Sequence, residues 1–494
     1  MKSMSFQSLN RPVTIQLRPF GETSTVQRAG AMKRARSASV AKSRPEVAGV
    51  YPTSISALLR SDELRNRFDP DAPDQLAVVR STTSDSVRRA FAPATGASTR
   101  VQIIVTPCAI VDGVRSADVE YARSKFGARI ISEGSEGKLL LRVDTLVQLE
   151  ALMDGLRQRD VGAVSPNFLR FRVRGTPSQP RRTWAHGMIG VRDAWELTRG
   201  DPSISVAILD EGVDTAHPCL KPAIIAERDF IGGGGNSAMP DGDDAHGTAC
   251  AGIVVSRGKR YPGIAPDCSL IAARIGMSDG SKYGWVFDDF ATADAIDWCW
   301  KQGAAALSNS WGGDVPSDSI SRALGRARTQ GRSGLGSVVC IAAGNDQDRT
   351  DFPGRLPDFV TVGASNWNDE RKTHKSSDGE PWGSNFGPTL TLLAPGVAIA
   401  TTDISGARGY ASGDFTTTFN GTSAATPHVA AAAALMLSVR PDLTAAQVRR
   451  LLVETADPIG GQTGWTRELG HGRLNVAAAV RAAAALARKS TKRA

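Results

Sequence analysis

The chain has 494 residues, of which 41% are hydrophobic, and it carries 50 glycines and a formal net charge of +9. This length can form two or three domains, and the composition is that of a globular protein. The six cysteines are scattered without a Cys-x-x-Cys pair, which argues against a zinc site or a small disulfide scaffold. No apolar run is long enough for a membrane span, and no secretory signal is visible, so we expect a cytoplasmic protein, with leaderless export or organelle targeting as alternatives.

Residues 1–98 show little hydrophobic periodicity beyond a possible short helix at 54–68. Nine Lys and Arg residues fall within the first 50 positions, against two Glu residues. We expect a disordered basic extension here and a second basic tail at 483–494. The alternative is an arm that binds nucleic acid or anionic lipid, which composition alone favours less.

Residues 99–175 alternate between strand and helix patterns in the order β-α-β-β-α-β. Val101 to Val105 reads as the first strand, and the helix from Thr145 places Leu146, Leu149 and Leu152 on one face. This order is the split βαβ pattern of a small α+β domain. An arginine-containing linker follows it.

Residues 176–482 form the largest unit. Apolar strand candidates at 204–209, 269–275, 305–309, 338–342 and 359–363 are separated mostly by helical segments. Strands that alternate with helices predict a parallel sheet covered on both faces, which makes this an α/β domain of three layers.

Four polar residues stand at the ends of these elements. Asp210 ends the first strand, His246 starts a helix, and Asn345 follows a strand. Ser423 comes just before Pro427, in a Gly- and Ala-rich turn that begins a long apolar helix. A carboxylate, an imidazole and a hydroxyl at a helix N-terminus supply an orienting group, a general base and a nucleophile.

These residues lie in motifs that resemble those of the subtilisin-like serine proteases, the subtilase family, over residues 184–480. The matching motifs, in chain order, are Asp210-Glu211-Gly212, His217-Pro218, His246-Gly247-Thr248, Ser310-Trp311-Gly312-Gly313, Ala343-Gly344-Asn345 and Gly421-Thr422-Ser423. The resemblance implies a serine endopeptidase that acts on protein or peptide substrates through an acyl-enzyme. The alternative is a catalytically silent homologue that binds peptides.

The resemblance assigns a role to each catalytic residue. Ser423 attacks the scissile carbonyl, His246 accepts and returns the proton, and Asp210 orients the imidazole. Asn345 and the amide of Ser423 stabilise the oxyanion. The segment Ser310-Trp311-Gly312-Gly313 pairs with an extended substrate backbone.

Two acidic residues predict a preference for basic side chains before the scissile bond. Asp351 directly precedes Phe352-Pro353-Gly354. In subtilisins, the residue that precedes the corresponding segment lines the bottom of the S1 pocket, so the resemblance assigns that position to Asp351. Glu211 follows Asp210, where furin- and kexin-like subtilases carry an acid that faces the S2 position. We also expect Asp288 and Asp289 near S4. The alternative is that these acids are surface groups or helix caps.

The small domain at 99–175 resembles the subtilase propeptide. Its segment Gly162-Ala163-Val164-Ser165-Pro166-Asn167 is similar to the Val-x-x-Val-x-Pro-Asn strand of that domain. The resemblance implies an intramolecular inhibitor whose end lies through the active site. Candidate cleavage points are arginines that follow this strand, namely Arg170, Arg172, Arg174, Arg181 and Arg182.

The sequence departs from the family at the calcium site. Cys219 stands where the family usually has a ligand Asp, and residues 256–263 carry no carboxylate. We therefore expect no metal there and no cofactor. Asp241, Asp243 and Asp244 form an acidic loop that reads as solvent-exposed rather than as a second site.

Overall fold

The computed structural model of the protein describes residues 2–8, 11–19, 77–81, 102–159, 161–173, 184–231, 235–278 and 284–486. The helix expected at 54–68, the candidate cleavage points Arg174, Arg181 and Arg182, and the tail from residue 487 lie outside these ranges.

Three strands precede the small domain, namely β1 (Lys2–Ser8), β2 (Arg11–Pro19) and β3 (Ala77–Ser81). They pair antiparallel in chain order, and β3 joins the first strand of the small domain. The expectation of a disordered extension over residues 1–98 therefore does not hold at these segments. Phe6, Val13, Ile15 and Leu17 belong to runs in which apolar and polar residues alternate, which is the period of a strand.

The small domain has the predicted element order. Its elements are β4 (Gln102–Asp112), α1 (Ser116–Phe126), β5 (Arg129–Glu133), β6 (Leu139–Arg142), α2 (Leu146–Arg157) and β7 (Ala163–Val173). A capping box between Thr145 and Gln148 starts α2. The apolar face of α2, with Leu149, Leu152 and Leu156, is fully buried in the core of this domain. Each such side chain contributes about 1.5–3 kcal/mol of hydrophobic stabilisation.

The large domain begins with α3 (Trp184–Met188) and α4 (Val191–Trp195). Its next elements are β8 (Ser205–Asp210), β9 (Ile224–Asp229), α5 (His246–Val255), β10 (Ser269–Arg274), β11 (Gly276–Ser278), β12 (Gly284–Asp288), α6 (Asp289–Lys301) and β13 (Ala306–Asn309). The chain ends with α7 (Asp318–Gln330), β14 (Val338–Ala342), β15 (Val360–Ser365), β16 (Leu390–Pro395), β17 (Ile399–Thr402), β18 (Phe415–Phe419), α8 (Thr422–Val439), α9 (Ala445–Glu454) and α10 (Val476–Ala485).

Within the described residues, seven strands form a parallel sheet in the order β16-β15-β14-β13-β8-β10-β9. Alternate residues of β8 enter different cores: Val206 and Ile208 join the cluster around α5 and α8, whereas Ala207 and Leu209 join the cluster around α6 and α7. A sheet buried on both faces between helices is a three-layer α/β domain, which confirms the predicted fold class.

Helix α8 runs through the first of these two cores. Among the described helices it is the one long and apolar enough to cross a bilayer, but 89% of its apolar window is buried inside the fold. Its alanine-rich sequence lets it lie close to the sheet, and its N-terminus points to the carboxyl ends of the central strands, where the polar residues described next converge.

Candidate active site

The last residue of β8 and the first residue of α5 form the most direct contact of the site. His246 Nδ1 lies 2.8 Å from Asp210 Oδ1, and both side chains are buried. The amide of Glu211 also donates to Asp210 Oδ1, at 2.9 Å. The adjacent backbone amide thus fixes the carboxylate of Asp210. Asp210 in turn holds Nδ1 of His246, so that Nε2 faces away from the carboxylate.

Ser423 lies in the first turn of α8, directly after a tight turn at Gly421. Gly421 has a φ of +116°, a conformation that a residue with a side chain adopts only with strain. Ser423 Oγ lies 3.4 Å from the carbonyl oxygen of Ser310, and Ser310 Oγ donates to the carbonyl oxygen of Ser423 at 2.9 Å. The ring of Phe419 packs edge-on against His246, with 5.3 Å between centroids. The hydroxyl of Ser423 is therefore held in a closely packed turn at the N-terminus of α8, where the helix dipole favours negative charge.

Asn345 follows β14 and faces the same turn. Its Oδ1 accepts hydrogen bonds from the Thr422 amide at 2.8 Å and the Thr422 hydroxyl at 2.9 Å. Asn345 Nδ2 would lie 3.5 Å from a Cβ added at Gly421. Because Thr422 occupies the carbonyl oxygen, the side-chain NH₂ group is oriented toward the start of α8, where it can donate to an oxyanion.

Asp351 lies between two glycines at the expected pocket floor. A Cβ added at Gly312 would be 3.5 Å from Asp351 Cβ, and one added at Gly344 would collide with Asp351 Oδ2. Asn385 Nδ2 donates to Asp351 Oδ1 at 3.2 Å. The carboxylate thus sits directly below Gly344, the residue that precedes Asn345.

Glu211 lies elsewhere than the sequence predicted. It is fully buried, and its Oε1 accepts a hydrogen bond from the backbone amide of His246 at 2.7 Å. The first turn of α5 needs an acceptor, because Ala245 at its N-cap provides none. Glu211 therefore does not face the S2 position of a substrate, contrary to the sequence prediction. It contacts the N-terminus of α5 instead.

The predicted substrate-pairing segment lines the same edge of the sheet. Gly313 pairs with Phe352 through two backbone hydrogen bonds, of 2.7 and 2.8 Å. Trp311 is buried and contacts Phe287 at 5.6 Å between ring centroids. Gly312 stands between these anchored neighbours, close to Asp351, so the segment is held in an extended form along the pocket.

The two acids expected near S4 are buried. Asp288 caps α6 by accepting the Ala291 amide at 2.7 Å, and its other oxygen accepts from Asn167 of the small domain at 2.6 Å. Asp289 is also fully buried. Asp288 is therefore a helix cap that contacts the small domain, which is the alternative that the sequence left open.

The small domain docks on α6, α7 and the hairpin of β11 and β12. Strand β7 pairs antiparallel with β12 along its last five residues, Leu169 to Val173. Lys138 and Asp297 form an ion pair of 3.1 Å in which both side chains are fully buried, and Arg326 approaches Asp297 at 2.7 Å. Burial acts to raise the pKa of Asp297, but the hydrogen bond from Arg326 and the charge of Lys138 hold it below its usual value.

Cys219 and residues 256–263, where the family resemblance places the calcium site, contact each other directly. The carbonyl of Cys219 accepts the amide of Arg257 at 2.9 Å, and its Sγ would lie 2.9 Å from a Cβ at Gly258. In the acidic loop, Asp241 forms an ion pair with Arg274, and Asp243 accepts the amide of Gly409.

Two residues at the site, Asn385 and Cys250, were not found from the sequence, and Thr422 was named there only as part of the Gly421-Thr422-Ser423 motif. Cys250 Sγ lies 3.9 Å from His246 Nδ1, and among the described residues Asp210, His246 and Cys250 form the one group of potential metal ligands. The spacing of four positions between His246 and Cys250 on one helix could have revealed this contact. Asn385 carried no such signal.

The site can now be compared with known proteins. A family model described as the Subtilase family matches residues 201–472. The chain belongs to the subtilase family. The resemblance predicted from the motifs is thereby confirmed.

Individual relatives agree with this assignment. The chain is 32% identical to subtilisin E of Bacillus subtilis over 285 residues, which is 56% of this chain and 65% of that protein. It is 31% identical to thermitase of Thermoactinomyces vulgaris, covering 62% of this chain and 99% of the relative. The crystal structure of fervidolysin from Fervidobacterium pennivorans, described as a keratinolytic enzyme related to subtilisin, superposes with a TM-score of 0.62 and 20% identity. That alignment covers 76% of this chain and 61% of fervidolysin, and it supports the fold.

Proposed function

We propose that this protein is a serine endopeptidase. The observation that carries the proposal is the contact of His246 with Asp210. Cys250 Sγ links this pair to Ser423, at 3.9 Å from His246 Nδ1 and 3.6 Å from the Ser423 carbonyl oxygen, and Asn345 is bonded to the adjacent Thr422. Ser423 Oγ attacks the carbonyl carbon of the scissile bond, and its proton passes to His246. His246 then gives the proton to the leaving amine, and a water molecule hydrolyses the acyl-enzyme. Asn345 Nδ2 and the Ser423 amide stabilise the oxyanion of each tetrahedral intermediate.

A fluorophosphonate probe and a protein substrate such as casein test this proposal. The wild-type chain is expected to react with the probe and cleave casein, and the Ser423→Ala variant is expected to do neither. Ser438→Ala is the matched control, because Ser438 lies on the same helix and bonds to Ala434. A wild-type chain that binds peptides without labelling or cleavage would support the silent homologue instead.

We further propose that the enzyme prefers Arg or Lys directly before the scissile bond. The support is the position of Asp351 between Gly312 and Gly344, held there by Asn385. A basic side chain that enters between these glycines would meet the carboxylate in a site with little water. An Arg or Lys of the substrate would form a charge pair with the partly buried Asp351, whereas an apolar substrate side chain would cover the carboxylate without pairing it. Covering a charge in that way costs free energy, so we expect substrates with an apolar residue at this position to be disfavoured.

A library of peptides that varies this one position tests the preference. The wild type is expected to select Arg and Lys, and Asp351→Asn is expected to lower that selectivity by about 10²-fold, the loss of one well-placed charge pair. Asp348→Asn is the control, since Asp348 is an exposed acid of the same loop. Selection of Leu or Phe by the wild type would contradict the proposal.

We also propose that the small domain inhibits the peptidase in cis. The pairing of β7 with β12 supports this, because an edge strand beside the site is the surface that an extended substrate would use. Lys138→Met removes the buried partner of Asp297 and is expected to raise the activity of the intact chain. Lys125→Met, on an exposed face of α1, serves as the control. Equal activities of the two variants and the wild type would contradict inhibition by this domain.

A further inference from the structure

Helix α5 carries His246 at its first position, and the sequence provides no cap for that end. Ala245 precedes it, and no side chain at that position accepts a hydrogen bond. The acceptor comes from Glu211, whose Oε1 lies 2.7 Å from the His246 amide nitrogen. Glu211 is fully buried, so this bond is shielded from water.

A second bond connects Glu211 to the same pair of residues. Its backbone amide donates to Asp210 Oδ1, the oxygen that also contacts His246 Nδ1. Asp210 and His246 are therefore linked twice, once by their side chains and once through Glu211. The two links form a closed ring of hydrogen bonds and covalent bonds around the start of the helix.

The residues of this ring pack closely against the next turn of the chain. A Cβ added at Gly247 would collide with the carbonyl oxygen of Gly212 and would lie 2.8 Å from Asp210 Cβ. The first turn of α5 thus touches the loop that follows β8. A shift of that turn must move the imidazole relative to Asp210.

We propose that Glu211 is a positioning residue for His246, rather than part of the substrate pocket. It accepts a hydrogen bond from the backbone amide of His246, whose side chain moves the proton, and so it fixes the imidazole against Asp210. This inference rests on the proposed serine endopeptidase function. Glu211 acts in this proposal through the position of its acceptor oxygen. The neutral amide oxygen of a glutamine at the same position can therefore replace the carboxylate oxygen in part.

The consequence is a specific kinetic signature. Without the acceptor, the first turn of α5 loses its anchor and His246 is misplaced for proton transfer. Misplacement of a catalytic group by about 1 Å can reduce the rate by about 10²-fold, so Glu211→Leu is expected to reduce kcat by about 10–100-fold. KM is expected to stay within about twofold, because Glu211 contacts no substrate in this proposal. Glu211→Gln keeps an acceptor oxygen and is expected to recover most of the lost kcat.

The experiment measures kcat, KM and the rate of fluorophosphonate labelling for Glu211→Leu, Glu211→Gln and the wild type. Asp201→Leu is the control, since Asp201 likewise accepts a loop amide, that of Ser203 at 2.8 Å, at the opposite end of β8 from Asp210. The control is expected to keep the wild-type kcat. Thermal unfolding of each variant establishes that it is folded at the assay temperature.

Three outcomes overturn the inference. The first is an unchanged kcat in Glu211→Leu, and the second is a raised KM at constant kcat, which would restore the S2 assignment. The third is an equal loss in Glu211→Gln, which would make the charge decisive and not the acceptor. If Glu211→Leu does not fold, Glu211→Asp takes its place, since its acceptor is one methylene shorter; a wild-type kcat there contradicts the proposal. A wild type that neither labels nor cleaves would instead refute the proposed function.

Discussion

The pocket floor around Asp351 and the helix start around Glu211 each carry a carboxylate that the sequence assigned to substrate binding. Asp351 lies between Gly312 and Gly344, and the proposed S1 pocket is assigned to this place. Glu211 lies under α5 and accepts the amide of His246. Similar side chains next to the same catalytic residues therefore contact different groups: Glu211 bonds to a backbone amide, and Asp351 bonds to the side chain of Asn385.

The difference follows from what surrounds each carboxylate. Glu211 meets a helix N-terminus, whose unpaired amides attract a carboxylate more strongly than open solvent does. Asp351 is flanked by glycines, whose missing side chains let the backbone approach the carboxylate closely. The local backbone, rather than the distance along the chain from a catalytic residue, decides which group an acid contacts.

The pocket floor can be disrupted most strongly at Gly344. A Cβ there would collide with Asp351 Oδ2 and Asn385 Nδ2, and the φ of +106° is strained for alanine. Because Gly344 adjoins Asn345, Gly344→Ala is expected to displace the oxyanion donor and lower kcat/KM by about 10²–10³-fold, the effect of losing such a donor. Steady-state kinetics on a peptide with Arg before the scissile bond measure this.

The matched control is Gly303→Ala. Gly303 also has a positive φ, of +87°, but a Cβ there would meet nothing within 4 Å. It should lower the unfolding temperature slightly and leave kcat/KM unchanged. Equal kcat/KM in Gly344→Ala and the wild type would show that the pocket floor is not coupled to Asn345.

Asn385 provides a smaller change in the same region. It donates to Asp351 Oδ1, and its own oxygen accepts the amides of Asp346 and Asp348, both at 2.9 Å. Asn385→Ala frees the carboxylate to rotate, so the preference for Arg over Leu is expected to fall about tenfold, the worth of one charge-assisted hydrogen bond. Asn368→Ala, at an exposed position of the same loop, should keep the preference. A full preference in Asn385→Ala would mean that Asp351 is held by other contacts.

Thr422 tests the start of α8 in the way that Glu211 tests the start of α5. Its hydroxyl donates to Asn345 Oδ1 and accepts the Gly344 amide at 3.2 Å. Thr422→Val keeps the shape and removes both bonds, so kcat is expected to fall about 5–10-fold with KM nearly constant. Thr426→Val, on the next turn of the helix, is the control. A raised KM in Thr422→Val would assign Thr422 to substrate binding.

The alternation of apolar strands and helices was enough to predict the three-layer domain, because each buried strand is a continuous apolar run. The positions of Asp210, His246, Asn345 and Ser423 at element ends also followed from the sequence, since parallel strands bring their carboxyl ends to one edge. These predictions depend on short-range patterns.

The contacts of Glu211, Asn385 and Asp288 could not be predicted in this way. Each depends on which backbone amide or side chain the fold brings close, over separations of 34 residues for Asn385 and Asp351 and 35 for Glu211 and His246. An acid after a strand is compatible with a helix cap, a pocket or solvent. The choice requires the three-dimensional position of a helix N-terminus.

The last prediction concerns stability rather than activity, at the loop that carries Glu380. Burial, helped by the charge of Asp378, raises the pKa of Glu380 from 4.5 to about 7, while Lys372 opposes the shift. The folded protein thus binds the Glu380 proton more tightly than the unfolded chain does. Its stabilising contribution is full below pH 4.5 and is lost as the pH rises through about 7.

Glu380→Gln removes this dependence. At pH 8 the variant is expected to be more stable than the wild type, by at most roughly 3 kcal/mol at 1.36 kcal/mol per pKa unit, and at pH 4 the two should agree. Urea unfolding between pH 4 and 8 measures the difference.

Glu370→Gln is a control of opposite sign, because hydrogen bonds from Ser377 and Asn366 lower the pKa of Glu370. Loss of the Glu370 carboxylate should therefore destabilise the protein at pH 7. A stability difference between Glu380→Gln and the wild type that does not change with pH would contradict the protonation of Glu380 in the folded loop. The helix start around Glu211 lies on the central sheet, away from this loop, so Glu380→Gln should leave the labelling rate of Ser423 unchanged.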